Sequence, residues 1–385
     1  MTPSWLTDSN SPGSELTSPT IGDTLPETPA ELYSPEAHFA NKGFVSGIRR
    51  AWINLSHLRR PLPLLPARDQ VDRIVVVHPG PMRDLVFAEP AIRALRLRFP
   101  NVDRVLYAPE EAASLYAGSG WGEVRPLEKL GEERQKSEQT CMIVDLTFRA
   151  EYEIAKQIQR TRFSHRVGVN LGGRGAFYNI PAQPPLFTDH MADFYLQLVE
   201  LIGVASLGRV PSLPHGLDRM ERGRRFWHEK EIQQPVVLIP GWDGQSIGWP
   251  ADVFINMGRN LSEHELVVIS LPSEKTQVEP VVDALNCQWI KMSSTQTLMD
   301  AIATSALVIG NDGGTLHLAA AMNRPTLMLT VNPHPWRSWP LVTANSAVFR
   351  GQDVDSARVR FDRIPVSDLA AAALRLIDLK SEKII

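Results

Sequence analysis

The sequence predicts an α/β protein built from two Rossmann-like domains with parallel sheets. Two stretches far apart in the chain, beginning at Arg73 and at Pro235, have the same order of features: a run of β-branched residues, a glycine-containing loop and an amphipathic helix. Parallel strands are joined through helices, so each stretch is typical of the opening of one such sheet. A chain of 385 residues is long enough for two domains of ordinary size.

The elements of the first half alternate as a parallel sheet requires. Residues 73–80 (RIVVVHPG) predict a buried strand that ends in a glycine loop, and a helix follows with Glu89, Pro90 and residues 91–99. The other predicted elements are strands at 104–107, 141–146 and 166–169 and helices at 150–159 and 194–202, the last of which is closed by Gly203. This order indicates one sheet covered by helices.

The second half repeats the pattern. Residues 235–241 (PVVLIPG) predict its first strand, and a helix at 251–261 follows Trp249 and Pro250. A strand at 266–271 and a helix at 297–304 continue the alternation, and the polar stretch at 208–219 is the predicted domain boundary. In two-domain proteins of this kind, ligands bind between the carboxyl ends of the facing strands.

Residues 308–325 (VIGNDGGTLHLAAAMNRP) predict an anion-binding turn. The strand ends at Gly310, Asn311 and Asp312 can cap the following helix, and the backbone amides of residues 313–315 lie in its first turn. Such amides and the positive end of the helix dipole favour a phosphate, which here predicts a diphosphate site. On spacing alone, an ordinary well-capped turn between a strand and a helix is the favoured interpretation.

Composition excludes several classes of protein. With 43% hydrophobic and 22% charged residues the chain has a globular profile, and its two cysteines lack the spacing of a disulfide framework or a zinc site. A net charge of −3 argues against nucleic acid as a partner. The sequence has neither an apolar run of the roughly 20 residues that a membrane span needs nor a secretory signal, so we expect a cytoplasmic protein.

The N-terminal segment has a composition of its own. Residues 1–40 are rich in Ser, Thr and Pro, carry acidic residues and contain no Lys or Arg, which predicts a disordered tail. Residues 43–60 combine arginines with apolar residues and can form a basic amphipathic helix. Two interpretations stay open for this helix: it lies on the inner face of the anionic cytoplasmic membrane, or it docks on the protein's own body.

Several motifs together resemble glycosyltransferase family 9, whose best-known members are the lipopolysaccharide heptosyltransferases. They are HPGPMRDLVFAEPAIRALRLRFP (78–100), IPGWDGQSIGWPADVFINMGRNL (239–261), the turn at 308–325 extended by Asn332, Pro333 and WRSWP (336–340), and the weaker HMADFYLQLVELIG (190–203). The resemblance implies a GT-B fold, which consists of two facing Rossmann-like domains.

The resemblance also implies a domain plan. Residues 1–70 would be the tail and basic linker, 71–213 the acceptor domain, 214–350 the nucleotide-sugar donor domain, and 351–385 a C-terminal segment. A helix at 367–379 would cross from this last segment back to the N-terminal domain.

The family's chemistry is inverting glycosyl transfer without a metal ion or other cofactor. The donor implied is a nucleotide-diphosphate sugar, ADP-heptose by family analogy, and the acceptor a glycan or lipid-linked glycan such as a lipopolysaccharide core. Asp84 matches the family's base, which takes the proton from the acceptor hydroxyl. Asp312 and His317 match positions that hold the turn and the diphosphate, and Gly313, Gly314 and Thr315 supply amide donors.

These residues also have simpler interpretations. Asp84 can be a helix cap or a surface acid, and His317 can be a satisfied core histidine. A nicotinamide-dependent oxidoreductase fits less well, because neither glycine loop reads GxGxxG with a suitably spaced acid.

The sequence departs from the family at two positions. The lysine that members usually carry two residues before the Trp-Pro pair is Ile247, and the usual glycine before the catalytic Asp is Arg83. One hypothesis is that Arg83 or Arg337 replaces the lysine at the diphosphate, because a guanidinium binds phosphate oxygens in pairs. The alternative is a GT-B scaffold that binds a sugar nucleotide or a protein partner without turnover.

Overall fold

The computed structural model describes residues 63–381 except 137, 149–151, 172, 184–189, 242–247, 271–273, 331–344, 351, 356–357 and 361–363. The predicted tail, the basic helix at 43–60, Ile247 and Arg337 lie outside the described residues.

The first sheet has six parallel strands in the order β3-β2-β1-β4-β5-β6. Its strands are β1 (Arg73–Val77), β2 (Asp103–Ala108), β3 (Glu123–Pro126), β4 (Cys141–Asp145), β5 (His165–Val169) and β6 (Ile180–Ala182). β1 pairs in parallel with both β2 and β4, so that Ile74 lies between Arg104 and Met142. The direction of winding reverses between β1 and β4, which is where this type of sheet binds ligands.

The second sheet repeats this winding with the order β12-β11-β10-β7-β8-β9. Its strands are β7 (Val236–Ile239), β8 (Leu266–Ser270), β9 (Gln288–Lys291), β10 (Leu307–Asn311), β11 (Thr326–Thr330) and β12 (Ser346–Arg350). A short antiparallel hairpin follows, formed by β13 (Gln352–Asp355) and β14 (Arg358–Arg360). The reversal point of this sheet lies between β7 and β10. The predicted fold class, with two doubly wound parallel sheets, is confirmed.

Ten α-helices connect and cover the described strands. They are α1 (Met82–Arg98), α2 (Glu111–Tyr116), α3 (Tyr152–Thr161), α4 (Met191–Glu200), α5 (Leu217–His228), α6 (Ala251–Asn260), α7 (Lys275–Leu285), α8 (Thr295–Thr304), α9 (Gly314–Ala321) and α10 (Val366–Ser381). None of the helices in this part of the chain has the length and hydropathy that a membrane crossing requires.

Helix α1 begins at Met82, seven residues before the predicted start at Glu89. Proline is ordinarily favoured in the first turn of a helix. In the structure Pro90 lies inside the helix, and the preceding residues 85–88 are fully buried apolar side chains. Their burial offsets the backbone hydrogen bond that proline removes.

A single apolar core joins the two halves of the chain. Val76 of β1 and Leu95 of α1 belong to the same buried cluster as Val237 of β7 and Leu316 of α9. Helix α9 packs against α1 within this cluster. The first turns of these two helices therefore have fixed positions relative to each other.

The C-terminal helix packs on the second sheet. Leu369, Ala373 and Leu376 of α10 lie in a core with Leu307 and Ile309 of β10. Its crossing back to the N-terminal domain, which the resemblance implies, stays a prediction. The helix also packs on α6. Its apolar face is thus buried against the second sheet.

A buried carboxyl fastens the segment between the two sheets to α1. Glu89 Oε2 accepts the backbone N–H of Ser212 at 2.8 Å and lies 3.2 Å from Arg93 Nη1. Arg93 in turn donates to the carbonyl of Val210 at 3.1 Å. Burial raises the pKa of Glu89 to about 7, although Arg93, Ser212 and Arg96 each act to lower it.

Replacing Glu89 by glutamine is expected to change how stability depends on pH. Because the folded pKa is raised from 4.5 to about 7, the carboxyl's contribution is fully present below pH 4.5 and is lost as the pH rises to 7. Between pH 4.5 and 7, the unfolding free energy of Glu89→Gln should therefore increase by about 3 kcal/mol relative to that of the wild type. Chemical denaturation across the pH range measures this gain. Glu200→Gln, which alters an exposed carboxylate of α4, is the control. The expectation is contradicted if the difference in unfolding free energy between Glu89→Gln and the wild type does not vary with pH.

Candidate active site

The two predicted site segments meet at the carboxyl ends of the sheets. Asp84 lies in α1, which follows β1, and the turn at 312–315 follows β10. A Cβ atom added at Gly314 would lie 3.3 Å from Met82 Cβ and 3.5 Å from the backbone nitrogen of Arg83. The first turn of α9 thus lies against the first turn of α1, and a larger residue at position 314 would press on Met82.

The start of α9 has the features of an anion-binding turn. Gly313 is the N-cap residue, and the helix runs from Gly314 to Ala321. Among the described residues, the backbone amides of Gly313, Gly314 and Thr315 have no hydrogen-bond acceptor. Free amides at the positive end of a helix are suited to phosphate oxygens.

Asp312 holds this turn in place. Its Oδ1 lies 3.0 Å from His317 Nε2, its Oδ2 accepts from Thr330 Oγ1 at 3.0 Å, and its backbone N–H donates to the carbonyl of Leu329. Burial acts to raise the pKa of Asp312. The interaction with His317, the charge of Arg83 and the Thr330 hydrogen bond outweigh burial and hold that pKa below its ordinary value. Asp312 is therefore a carboxylate at neutral pH.

His317 supports the turn from the inside. Its side chain is 0% exposed, and its ring makes an edge-on contact with Phe87 of α1 at 4.8 Å between ring centres. Nε2 bonds Asp312, while Nδ1 has no partner among the described residues. The structure brings His317 together with Asp312 and α1. Its predicted contact with a diphosphate stays a prediction.

Asn311 fixes the other side of the same turn. Its Nδ2 donates to the carbonyl of Pro240 and its Oδ1 accepts the backbone N–H of Trp249, both at 2.8 Å. The buried Trp249 indole donates to the carbonyl of Thr330 at 3.2 Å. Trp249 and Pro240 are therefore both held at the ends of β10 and β11.

Asp84 is not used as a helix cap. Pro81 occupies the N-cap position of α1 and Asp84 the third position of its first turn, and the structure has no side-chain capping hydrogen bond there. The carboxylate is 18% exposed, and its closest polar contact among the described residues is Arg83 Nε at 3.5 Å. That distance is too long for a strong hydrogen bond, so the carboxylate can accept a proton from a ligand.

His78 and Tyr195 position the loop before Asp84, and the sequence predictions missed both. His78 Nδ1 accepts the backbone N–H of Gly80 at 3.1 Å, so Nε2 carries the proton that is donated to the Tyr195 hydroxyl at 3.2 Å. Burial lowers the pKa of His78, although Asp84 and Asp145 act to raise it, so the ring is neutral. A Cβ at Gly80 would lie 2.7 Å from His78 Cε1, so the loop needs glycine. A histidine directly after a buried strand was the available signal.

Arg83 is positioned to act on both acidic residues. Its Nε lies 3.5 Å from Asp84, and its charge helps to lower the pKa of Asp312. The guanidinium thus lies in the field of both site carboxylates, and its side chain is 35% exposed. Arg337 and Ile247, on which the rest of the lysine hypothesis depends, belong to the part of the chain that is not described.

A further acidic residue, also missed, lies at the carboxyl edge of the second sheet. Glu274 follows β8, and a Cβ atom at Gly241 would overlap its carboxyl group. This carboxylate therefore lies beside the end of β7, at the reversal point of the sheet. Within the described ranges, the structure contains no group of three or more His, Cys, Asp or Glu residues arranged to hold a metal ion.

Comparison with known proteins identifies the family. The model for glycosyltransferase family 9 (heptosyltransferase) matches residues 157–360, more than half of the chain. No curated protein sequence matches the chain.

Solved structures with this fold include a family 9 glycosyltransferase from Veillonella parvula (16% identity, TM-score 0.67, 80% of this chain and 98% of that one). The E. coli ADP-heptose LPS heptosyltransferase II is 17% identical with a TM-score of 0.66, over 80% of this chain and 99% of that one. The E. coli heptosyltransferase WaaC with ADP is 16% identical with a TM-score of 0.56, over 81% of this chain and 98% of that one. These likenesses show that the fold is GT-B, as predicted. The family match over more than half of its length shows that this chain belongs to glycosyltransferase family 9 and is a heptosyltransferase-like glycosyltransferase.

Proposed function

We propose that the chain is an inverting, metal-independent heptosyltransferase that moves heptose from ADP-heptose to a hydroxyl of a glycan or lipid-linked glycan. The observation that carries this proposal is the contact between the first turns of α1 and α9. Asp84, which makes no capping hydrogen bond, belongs to the first turn of α1. The amides of residues 313–315, which have no acceptor among the described residues, belong to the turn that lies against it. Two solved structures of one relative, E. coli heptosyltransferase WaaC, contain ADP and ADP-2-deoxy-2-fluoro heptose, which supports this class of donor.

In the proposed reaction Asp84 is the general base. Its carboxylate takes the proton of the acceptor hydroxyl as that oxygen attacks the anomeric carbon of heptose. The bond from the anomeric carbon to the diphosphate oxygen breaks on the opposite face, so the anomeric configuration inverts and ADP leaves. The amides of Gly313, Gly314 and Thr315 and the charge of Arg83 stabilise the negative charge that grows on the diphosphate.

The domain around each sheet binds one of the two substrates. Residues 71–213 form the acceptor domain and residues 214–350 the donor domain, with the diphosphate at the start of α9. Glu274 accepts hydroxyls of the ADP ribose, because an acidic residue after the second strand of such a sheet commonly has this role. Asp312 and His317 keep the turn in the shape that binds the diphosphate.

Arg83 takes the place of the family's lysine in this proposal. Arg83→Ala is expected to weaken ADP binding by about tenfold, the effect of one charge-assisted hydrogen bond, and Arg83→Lys should restore part of the loss. Isothermal titration with ADP measures both variants. Combining Arg83→Ala with Arg337→Ala tests whether the second guanidinium contributes. If ADP affinity is unchanged in the double variant, neither arginine replaces the lysine.

A transfer assay separates this function from that of a binding scaffold. The full chain is incubated with ADP-heptose and a heptose-deficient lipopolysaccharide core, and ADP release and product mass are followed. Turnover with inverted product stereochemistry, unaffected by a chelator, is the expected result. Tight ADP-heptose binding with neither transfer nor hydrolysis would instead support the scaffold.

The proposed location is the cytoplasm, with residues 43–60 in contact with the inner face of the cytoplasmic membrane. Anionic lipid headgroups attract a basic amphipathic helix of this composition, and a lipid-linked acceptor lies at the same surface. Co-sedimentation with anionic liposomes tests this contact. Removing residues 41–60 should abolish binding, while residues from 64 onwards are kept because His165 Nε2 bonds the carbonyl of Leu64 at 2.9 Å.

A further inference from the structure

A cavity lies along the C-terminal half of α1, away from the first turns of α1 and α9. It has a volume of about 470 Å³, and its walls are the α1 residues Glu89, Ile92 and Arg96, the segment between α2 and β3, and the segment 212–216 that joins the two sheets. Arg96 lies 12 residues after Asp84, which is about 18 Å along the helix axis. None of the predicted donor or base residues lines this cavity. Its volume is within the range of small-molecule sites.

One end of the cavity carries an unpaired cation. The half-buried guanidinium of Arg96 has no hydrogen bond or ion pair among the described residues, and its Nη1 would lie 3.6 Å from a Cβ at Gly120. Burial and the charge of Arg96 lower the pKa of the neighbouring Arg104, whose guanidinium is fully engaged with backbone carbonyls. Arg96 feels the charge of Glu89 but makes no ion pair with it, so its guanidinium can still bind an anionic group of a ligand.

Another part of the wall offers a hydrogen-bond acceptor. The Glu89 carboxyl is only 7% exposed, and both of its described contacts, the Ser212 amide and Arg93, are to Oε2. Oε1 is thus left without a partner among the described residues, and it can accept a hydroxyl from a molecule in the cavity. Between these two polar groups, Ile92, Tyr116 and Trp121 form a mainly apolar wall.

We infer that this cavity binds a small hydroxylated oxyanion, either a phosphate ester or a hydroxycarboxylate. Its anionic group pairs with the Arg96 guanidinium, its hydroxyl donates to Glu89 Oε1, and its carbon skeleton packs on Ile92 and Trp121. The α1 wall of the site runs from Glu89 to Arg96, about 8 to 18 Å along the helix axis from Asp84, and none of the predicted donor or base residues lines it. We therefore assign this molecule a role other than substrate of the transfer reaction. The inference does not depend on the proposed donor or acceptor.

Isothermal titration of the full chain tests the site with four probes: glycerol 3-phosphate, glycerate, inorganic phosphate and glycerol. We expect one or both of the first two to bind, and to bind more tightly than phosphate or glycerol, because only they offer both groups. Comparing glycerol 3-phosphate with glycerate shows whether the site prefers a phosphate ester or a hydroxycarboxylate. Arg96→Gln should weaken this binding by about tenfold or more, as expected for loss of a charge-assisted hydrogen bond.

Arg98→Gln is the matched control, since Arg98 belongs to the same helix, lies over the Phe99 ring and does not line the cavity. Binding in this variant should equal that of the wild type. Melting temperatures of both variants exclude a folding defect as the cause of any loss. The inference is overturned if neither hydroxylated probe binds at millimolar concentration, if Arg96→Gln binds as well as Arg98→Gln, or if inorganic phosphate binds as tightly as glycerol 3-phosphate.

Discussion

Asp84→Asn is expected to reduce the rate of transfer by roughly 10³-fold, within the range attributed to a general base, while ADP affinity stays that of the wild type. Asparagine has the size of aspartate but cannot take the proton of the acceptor hydroxyl. Asp84 caps nothing in the structure, and its contact with Arg83 Nε is long, so the substitution should leave the first turn of α1 intact. Initial rates with ADP-heptose and titration with ADP measure the two effects separately.

The chain offers a closely matched control for Asp84. Asp193 also occupies the third position of a helix, in α4, after the N-cap residue His190, and it pairs with Arg209 at 2.9 Å. Asp193→Asn removes the same favourable charge from a helix start and should leave transfer unchanged. Comparable activity in the two variants would remove Asp84 from the role of base. A loss of ADP binding in Asp84→Asn would mean that Asp84 supports the donor turn instead.

Local backbone chemistry was the most predictable part of this site. The turn at 312–315 could be found because glycine, capping residues and a buried strand are neighbours in the sequence, and the structure has a strand end and a helix start there. Asp84 was chosen only through the resemblance, since an acid in a first turn is an ordinary helix feature. The sequence does not reveal that Asp84 makes no capping hydrogen bond, because this depends on Pro81 being the N-cap residue.

The partners that hold the site were not predictable, because they come from distant parts of the chain. Tyr195 bonds His78 across 117 positions, and Thr330 bonds Asp312 across 18. No local pattern distinguishes these hydroxyls from others that end a strand or line a helix. The strands β3 and β9 were missed for a different reason. Each lies at a sheet edge with polar, partly exposed residues, so it lacks the apolar run that marks a buried strand.

The structure separates two roles for His317 that the sequence left open. Its side chain is fully buried, with Nε2 on Asp312 and its ring against Phe87. This arrangement makes His317 a support of the turn through its contact with Asp312. A histidine that bound the diphosphate directly would need an exposed ring nitrogen. The two roles predict different behaviour when both residues are changed.

Asp312→Ala is expected to lower the unfolding free energy by roughly 1 to 3 kcal/mol, the usual cost of leaving a buried hydrogen-bonding group unsatisfied. The substitution leaves the buried His317 with neither ring nitrogen bonded among the described residues, and it removes the Asp312 hydrogen bond to Thr330 Oγ1. Asp312→Asn, which keeps an acceptor for His317, should lose much less. Urea denaturation measures these differences, and equal losses in the alanine and asparagine variants would contradict the pairing.

The double variant Asp312→Ala with His317→Leu completes a cycle that tells the two roles apart. If His317 acts through Asp312, the double variant should lose about 1 to 3 kcal/mol less than the sum of the single losses, because leucine removes the unpaired ring. ADP affinity should then fall by a similar factor in both single variants and in the double one, since each disorganises the same turn. Additive losses of ADP affinity would show that His317 binds the diphosphate directly and independently of Asp312. Such binding would require the ring to leave its buried position against Phe87.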